Sequence, residues 1–167
     1  MAFATALFVL EEKMKRIVTL LLVIVMVFTM CSCGKTESDN NIEFWFSINC
    51  SKISENMDAI ENEAIRDLVP EDGIIFAEAA IGTSNSGSIM DATIEFCKAM
   101  NLSYDDSQGY ITMLADISAG DCGGWSGWLV KINGEFPQVG ADEIDLNNGD
   151  KIEWIYSLDG GSDIGAW

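Results

Sequence analysis

The chain has 167 residues with 27 acidic and 9 basic side chains, no histidine and a net charge of -18, a length that makes one domain with a real core once a leader is set aside. So acidic a surface repels phosphate backbones, which excludes nucleic-acid binding. The lack of histidine removes the commonest general base and the commonest metal ligand, and with them most hydrolase and zinc mechanisms.

From Met14 the sequence reads Met-Lys-Arg, then runs without a charge from Ile17 to Met30, then continues Cys31-Ser32-Cys33-Gly34-Lys35. A basic start, an apolar stretch too short to cross a bilayer and a small residue before a cysteine predict a signal peptide over residues 1–32. Glu11 and Glu12 precede the basic start, so Met14 is the expected true first residue. The end of this leader resembles a bacterial lipoprotein signal, with Met30 departing from the usual aliphatic residue three before the cysteine. That resemblance implies lipidation of Cys33, two acyl chains being the physical minimum for lasting attachment. The expected location is the extracellular face of the cytoplasmic membrane, with residues 33–41 as lipidated cysteine and polar tether.

The domain is expected over residues 42–167. Ile42, Phe44, Phe46 and Ile48 alternate with polar residues and Trp45, which predicts a first strand with one apolar face. Ser54–Leu68 carries Met57, Ile60, Ala64 and Leu68 at roughly helical spacing, as a short helix or an ordered loop. Val69-Pro70-Glu71-Asp72-Gly73 is a turn, Ile74–Ala80 a second strand pairing with the first, and Gly82–Gly87 a loop. Ser88 with Asp91 three residues on caps a helix over Ile89–Met100 that buries Ile89, Ala92, Phe96, Cys97 and Met100. Asp105–Gly109 is a turn before a third strand, Tyr110–Ala115. A glycine-rich approach, Ala119–Gly124, serves tight turning or close approach of a ligand. A bulky strand then runs into Asn133-Gly134, the dipeptide that most readily gives two consecutive positive φ angles, so the chain doubles back there. Asn148-Gly149-Asp150 turns into a last strand, Lys151–Leu158, with Ile152 and Trp154 on one face. The order predicts an α+β fold, a small mixed β-sheet with one covering helix, β-grasp-like.

Beyond the leader the cysteines are Cys50, Cys97 and Cys122. Cys97 suits a buried position on the helix. Cys50 and Cys122 both flank strands and are the expected disulfide pair in an exported protein, with three free thiols the alternative. No pair of carboxylates is set apart by apolar surroundings, Glu135 beside Phe136 coming nearest, so no catalytic residue is expected. The carboxylates of the tail, Asp159 and Asp163, are too sparse for a calcium loop, and no metal site is expected.

Gly127-Trp128-Leu129-Val130-Lys131-Ile132-Asn133-Gly134-Glu135-Phe136-Pro137, with Leu146-Asn147-Asn148-Gly149-Asp150-Lys151-Ile152-Glu153-Trp154-Ile155-Tyr156, is similar to the transcobalamin-like C-terminal domain family. Cys50, the turn Val69–Ile74 and Asp121-Cys122-Gly123 also resemble it, and the likeness spans Phe44–Trp167. In the vitamin carriers that name the family, the similar domain closes over a corrinoid held by a larger helical domain. The resemblance therefore implies a noncatalytic binding module for a small molecule, a corrinoid first, with no cofactor required. Trp125, Trp128, Phe136 and Pro137 are the candidate ligand-binding residues, being rigid apolar surface beside a turn. Alternation along the hairpin makes Trp128 and Trp154 equally good core residues. The other reading is a cell-surface interaction module that holds a protein or a wall glycan through the same aromatics.

Overall fold

A computed structural model of the protein describes residues 41–83 and 87–167. The expected signal peptide, Cys33, the tether up to Asn40 and Ser84–Ser86 of the expected loop lie outside the described residues.

Strand β1 (Ile42–Asn49) buries Phe44, Phe46 and Ile48 on alternate positions. The stretch after it is broken: α1 (Ser51–Glu55), a 3-10 turn (Met57–Ala59) and α2 (Glu63–Arg66). Asn62 caps α2 by accepting from the Ala64 N–H at 3.2 Å, and each restart shifts the helical phase. Ile53, Ile60 and Ile65 are therefore the buried residues, while Ala64 and Leu68, which one continuous helix would bury, are exposed. The turn at Val69–Gly73 forms as expected. Gly73 has φ +72°, and a Cβ there would stand 2.3 Å from the Ser51 Cα, so only glycine lets the chain enter β2 (Ile74–Thr83).

Helix α3 (Ile89–Met100) begins with a reciprocal cap, the Ser88 hydroxyl accepting from the Asp91 N–H at 3.1 Å and the Asp91 carboxylate accepting from the Ser88 N–H at 2.9 Å. Hydrogen bonds from Ser88 hold the Asp91 carboxyl below its ordinary pKa. Ile89, Ala92, Phe96 and Cys97 are buried as expected, together with Met90 and Thr93. Met100 is not: it is half exposed, the last residue before a left-handed Asn101 that ends the helix. The expected turn at Asp105–Gly109 is narrower, because Tyr104–Ser107 is a strand, β3, that turns only at Gln108-Gly109 into β4 (Tyr110–Leu114). A short β5 (Ile117–Ser118) follows, then β6 (Gly127–Ile132) and β7 (Lys151–Ser157).

Four strands form one sheet in the order β2-β1-β7-β6, with β1 and β7 parallel at its centre and the outer strands antiparallel to them. With α3 laid across one face, this is the α+β, β-grasp-like arrangement. The register places Phe46 beside Ile152, Ile48 beside Trp154, and Trp154 beside Val130, so the apolar residues of three strands share the helix side. Phe96 of α3 stacks on Phe46 with ring centroids 4.3 Å apart, and the Trp154 indole N–H donates to the Thr93 hydroxyl at 3.0 Å. Each such large side chain, fully buried, contributes roughly 1.5–3 kcal/mol.

The expected third strand does not join this sheet. It belongs to a second, antiparallel sheet, β3-β4-β5. The polar tips of two aromatics fasten the sheets together: the Trp128 indole N–H donates to the Ile117 carbonyl at 2.8 Å and the Tyr156 hydroxyl to the Ser118 carbonyl at 2.7 Å. Buried aromatics with one polar end suit this role, since the ring fills the core and the tip satisfies a carbonyl.

Candidate functional site

The site is built at the β6 end of the four-stranded sheet. Asn133 and Gly134 have φ of 52° and 89°, the two consecutive left-handed residues of a tight reversal. Ile132 and Glu135 close it with N–H to carbonyl bonds of 2.8 and 3.0 Å in both directions. The Asn133 side chain then reaches the second turn, donating to the Asp150 carboxylate at 2.8 Å and accepting from the Lys151 N–H at 2.9 Å. Asp150 also accepts from the Asn147 N–H at 2.8 Å. The two turns that stand out in the sequence are thus clamped to each other, and the segment after Glu135 is aimed back along the outside of β6.

That segment closes a cavity of about 200 Å³ against the strand. Trp128, Phe136 and Pro137 line it, as do Val130, Tyr110 from β4 and the final Trp167. Three of the four expected ligand residues are therefore brought together. Trp125 is not among them: it is 80% exposed, and its carbonyl accepts from the Gly160 N–H at 2.8 Å. Trp128 is 6% exposed and Trp154 1%, so both are core residues that also present an edge to the cavity. Phe136 lies under the Lys131 ammonium, 5.5 Å from the ring centroid, a contact that fixes the ring and screens one face.

Tyr110, Val130 and Trp167, and Val139 which also lines the cavity, were not among the expected site residues. Tyr110 and Trp167 are well exposed, at 60% and 73%. Trp167 is held by the tail that precedes it, where a 3-10 turn (Ser162–Ile164) is tied down by Asp163. The Asp163 carboxylate accepts from the Ser157 hydroxyl and from the Leu158 N–H. Partial burial acts to raise its pKa, but these hydrogen bonds outweigh it and hold the carboxyl below the usual range. A lone bulky residue at the C-terminus carries no periodicity that would have marked it.

Backbone polarity gives the cavity its second character. The Asn133 N–H donates to the Lys151 carbonyl at 2.9 Å, and the antiparallel ladder from there bonds alternate residues, Lys131, Leu129 and Gly127, to β7. Trp128, Val130 and Ile132 turn their N–H and C=O groups the other way. Ile132 spends them on Glu135; Trp128 and Val130 have no backbone partner among the described residues.

Cys50, Cys97 and Cys122 are thiols in the structure, the alternative to a Cys50–Cys122 bridge. Burial, then the neighbouring Cys122 and Asp72, pushes the Cys50 thiol up to about 12, and burial pushes Cys97 to about 11. Cys122 is half-buried and raised mainly by burial, with the Tyr156 hydroxyl acting the other way. Among the described residues no three Asp, Glu or Cys side chains converge as a metal site would need, and no helix is long and apolar enough to cross a membrane.

No curated protein matches this chain in sequence. Among solved structures, haptocorrin in complex with Cbi is similar over 75% of this chain and 27% of its own, at 15% identity and a TM-score of 0.49; this chain thus spans about a quarter of haptocorrin's length. A candidate metal-binding protein from Ruminococcus gnavus is similar over 70% of this chain and 96% of its own, at 13% identity and a TM-score of 0.40. Residues 87–157, from just before the cap of α3 to the end of β7, match the model of a domain of unknown function, DUF4430.

Proposed function

We propose that the protein is a noncatalytic binding module, tethered by lipid at Cys33 outside the cytoplasmic membrane, whose ligand seats in the cavity against β6. The observation that carries this reading is the convergence of Trp128, Phe136, Pro137, Tyr110 and Trp167, which belong to three separate parts of the chain, on one cavity. Aromatic walls around an opening are the common composition of small-molecule sites. The cavity, about 200 Å³, lies below the roughly 300–1,000 Å³ of pockets that enclose a whole drug-sized ligand. The module therefore grips part of its ligand, and another surface covers the rest.

A corrinoid is the first candidate, on the strength of the sequence resemblance to transcobalamin-like C-terminal domains. Its flat ring would present an edge to the aromatics. With no histidine in the chain, no imidazole is on hand to displace the lower ligand of cobalt, and recognition rests on packing and hydrogen bonds. Calorimetric titration of the full chain with cobalamin and with cobinamide tests this. Heat that saturates at tens of micromolar and is lost on Phe136→Ala supports the reading, and no heat from either ligand turns it toward the surface-interaction reading, a protein or wall glycan held by the same aromatics.

A further inference from the structure

From the open edge of β6 we infer that this groove also takes an extended peptide segment, which adds a fifth strand to the sheet. The inference rests on the reading of the cavity as the binding site, and not on the identity of the small molecule proposed for it.

Trp128 and Val130 offer two N–H and two C=O groups, free of backbone partners among the described residues, along an edge strand. Such an edge is a template for another strand unless it is covered or blunted, and the usual devices are a proline, a lysine aimed outward or a bulge. None stands at Trp128–Val130, the pairing of β6 with β7 runs without a register shift, and the Phe136–Val139 segment that faces this edge leaves a cavity, not a ladder of backbone bonds, between them. Phe136–Val139, lining the same cavity, likewise makes no backbone hydrogen bond to a described residue. A strand has two edges, and a peptide lying between these segments can satisfy both. The three residues Trp128–Val130 span about 7 Å, which matches a bound core of about three residues. Side chains on alternate positions of that core would meet the aromatics.

Charge selects the occupant. Glu135 stands before Phe136–Val139, and Asp142 and Glu143 follow it; the Asp142 carboxylate lies against Gly109, which lines the cavity. Lys131, the nearby cation, is engaged on Phe136. A second copy would bring another net charge of -18 to the same edge, whereas a basic segment is attracted to it. The partner is thus a protein carrying an exposed, extended segment of alternating basic and apolar residues.

The probe is an N-acetylated, C-amidated six-residue peptide of alternating lysine and valine, added to the full chain and followed by calorimetry and by amide hydrogen exchange. Binding should slow exchange at the Trp128 and Val130 amides, with the amides of Leu129 and Lys131 little changed because β7 already holds them. The Val130→Pro variant removes one outward N–H without touching the β7 ladder and should weaken binding at least about tenfold. A peptide N-methylated on alternate residues tests the same bond without altering the protein, should Val130→Pro not fold. No binding of the peptide, or equal binding of its N-methylated form, overturns the inference. So does protection that grows with protein concentration in the absence of peptide, which assigns the edge to a second copy. Phe136→Ala read against cobinamide keeps the two proposals apart: a response there with no peptide binding rejects the strand and leaves the small-molecule reading standing.

Discussion

Strands β6 and β7 lie side by side, are both rich in bulky apolar residues, and have opposite fates. β7 is paired on both edges, parallel to β1 and antiparallel to β6, and buries Ile152, Trp154, Tyr156 and Ser157. β6 is paired along one edge with β7, its other edge bonded among the described residues only where Ile132 meets Glu135, and it buries Trp128 alone. The alternation of side chains is nearly the same in the two. Alternation reports which face of a strand is covered, because that is set by side chains; it says nothing of the edge, where the backbone decides.

Substitutions should reproduce that contrast, most strongly in the core. Trp154→Ala in β7 should lower stability by about 3–5 kcal/mol in chemical denaturation, whereas Val130→Ala in β6 should cost about 1 kcal/mol. Equal losses would mean that the edge strand is as deeply committed to the core as the central one. The clamp between the turns comes next. Asn133→Ala forfeits two hydrogen bonds and puts a β-carbon residue at positive φ without them, for an expected loss of about 1–2 kcal/mol. At the cavity the effect moves from stability to binding: Phe136→Ala should weaken ligand at least about tenfold at little cost to the fold, and Trp125→Ala should leave it within about twofold. A large effect of Trp125→Ala would return the exposed glycine-rich loop to the site.

Acid should act more gently, on the caps rather than the core. Asp91 and Asp163 both have carboxyls held below their ordinary pKa in the folded protein. Each contributes stability that is fully present above the unfolded value of ~3.9 and is lost as pH falls through the lower folded value. Below about pH 4 the melting temperature should therefore fall, and Asp163→Asn should remove part of that dependence. Intact-mass analysis under non-reducing conditions checks the cysteines. A loss of 2 Da in protein prepared without reductant, mapped to Cys50 and Cys122, gives the bridge, and its absence gives thiols of which Cys122 alkylates first.

Much of the architecture is legible in the sequence because its signals are local. The cap at Ser88 and Asp91, the reversal at Asn133-Gly134, and the alternation in β1 and β7 each need only a few neighbouring residues. The second sheet was not legible. Its attachment depends on the indole N–H of Trp128 and the hydroxyl of Tyr156 finding carbonyls at Ile117 and Ser118, contacts that no periodicity announces. The stretch from Ser54 to Leu68 leaves a short helix or an ordered loop open for the opposite reason, since its apolar residues fit one helical phase but Asn62 starts another. At the site, Phe136 and Pro137 follow from the turn that presents them, whereas Tyr110 and Trp167 reach the cavity only through tertiary packing.

Trp128 belongs to two structures at once. Its ring forms part of the cavity wall while its N–H holds β5 to the main sheet. An occupant that shifts the indole must stretch or relax that bond. The emission of this one tryptophan is accordingly a built-in optical gauge, and in a variant with Trp45, Trp125, Trp154 and Trp167 replaced by phenylalanine it would report both filling of the cavity and loosening of the second sheet, without any added label.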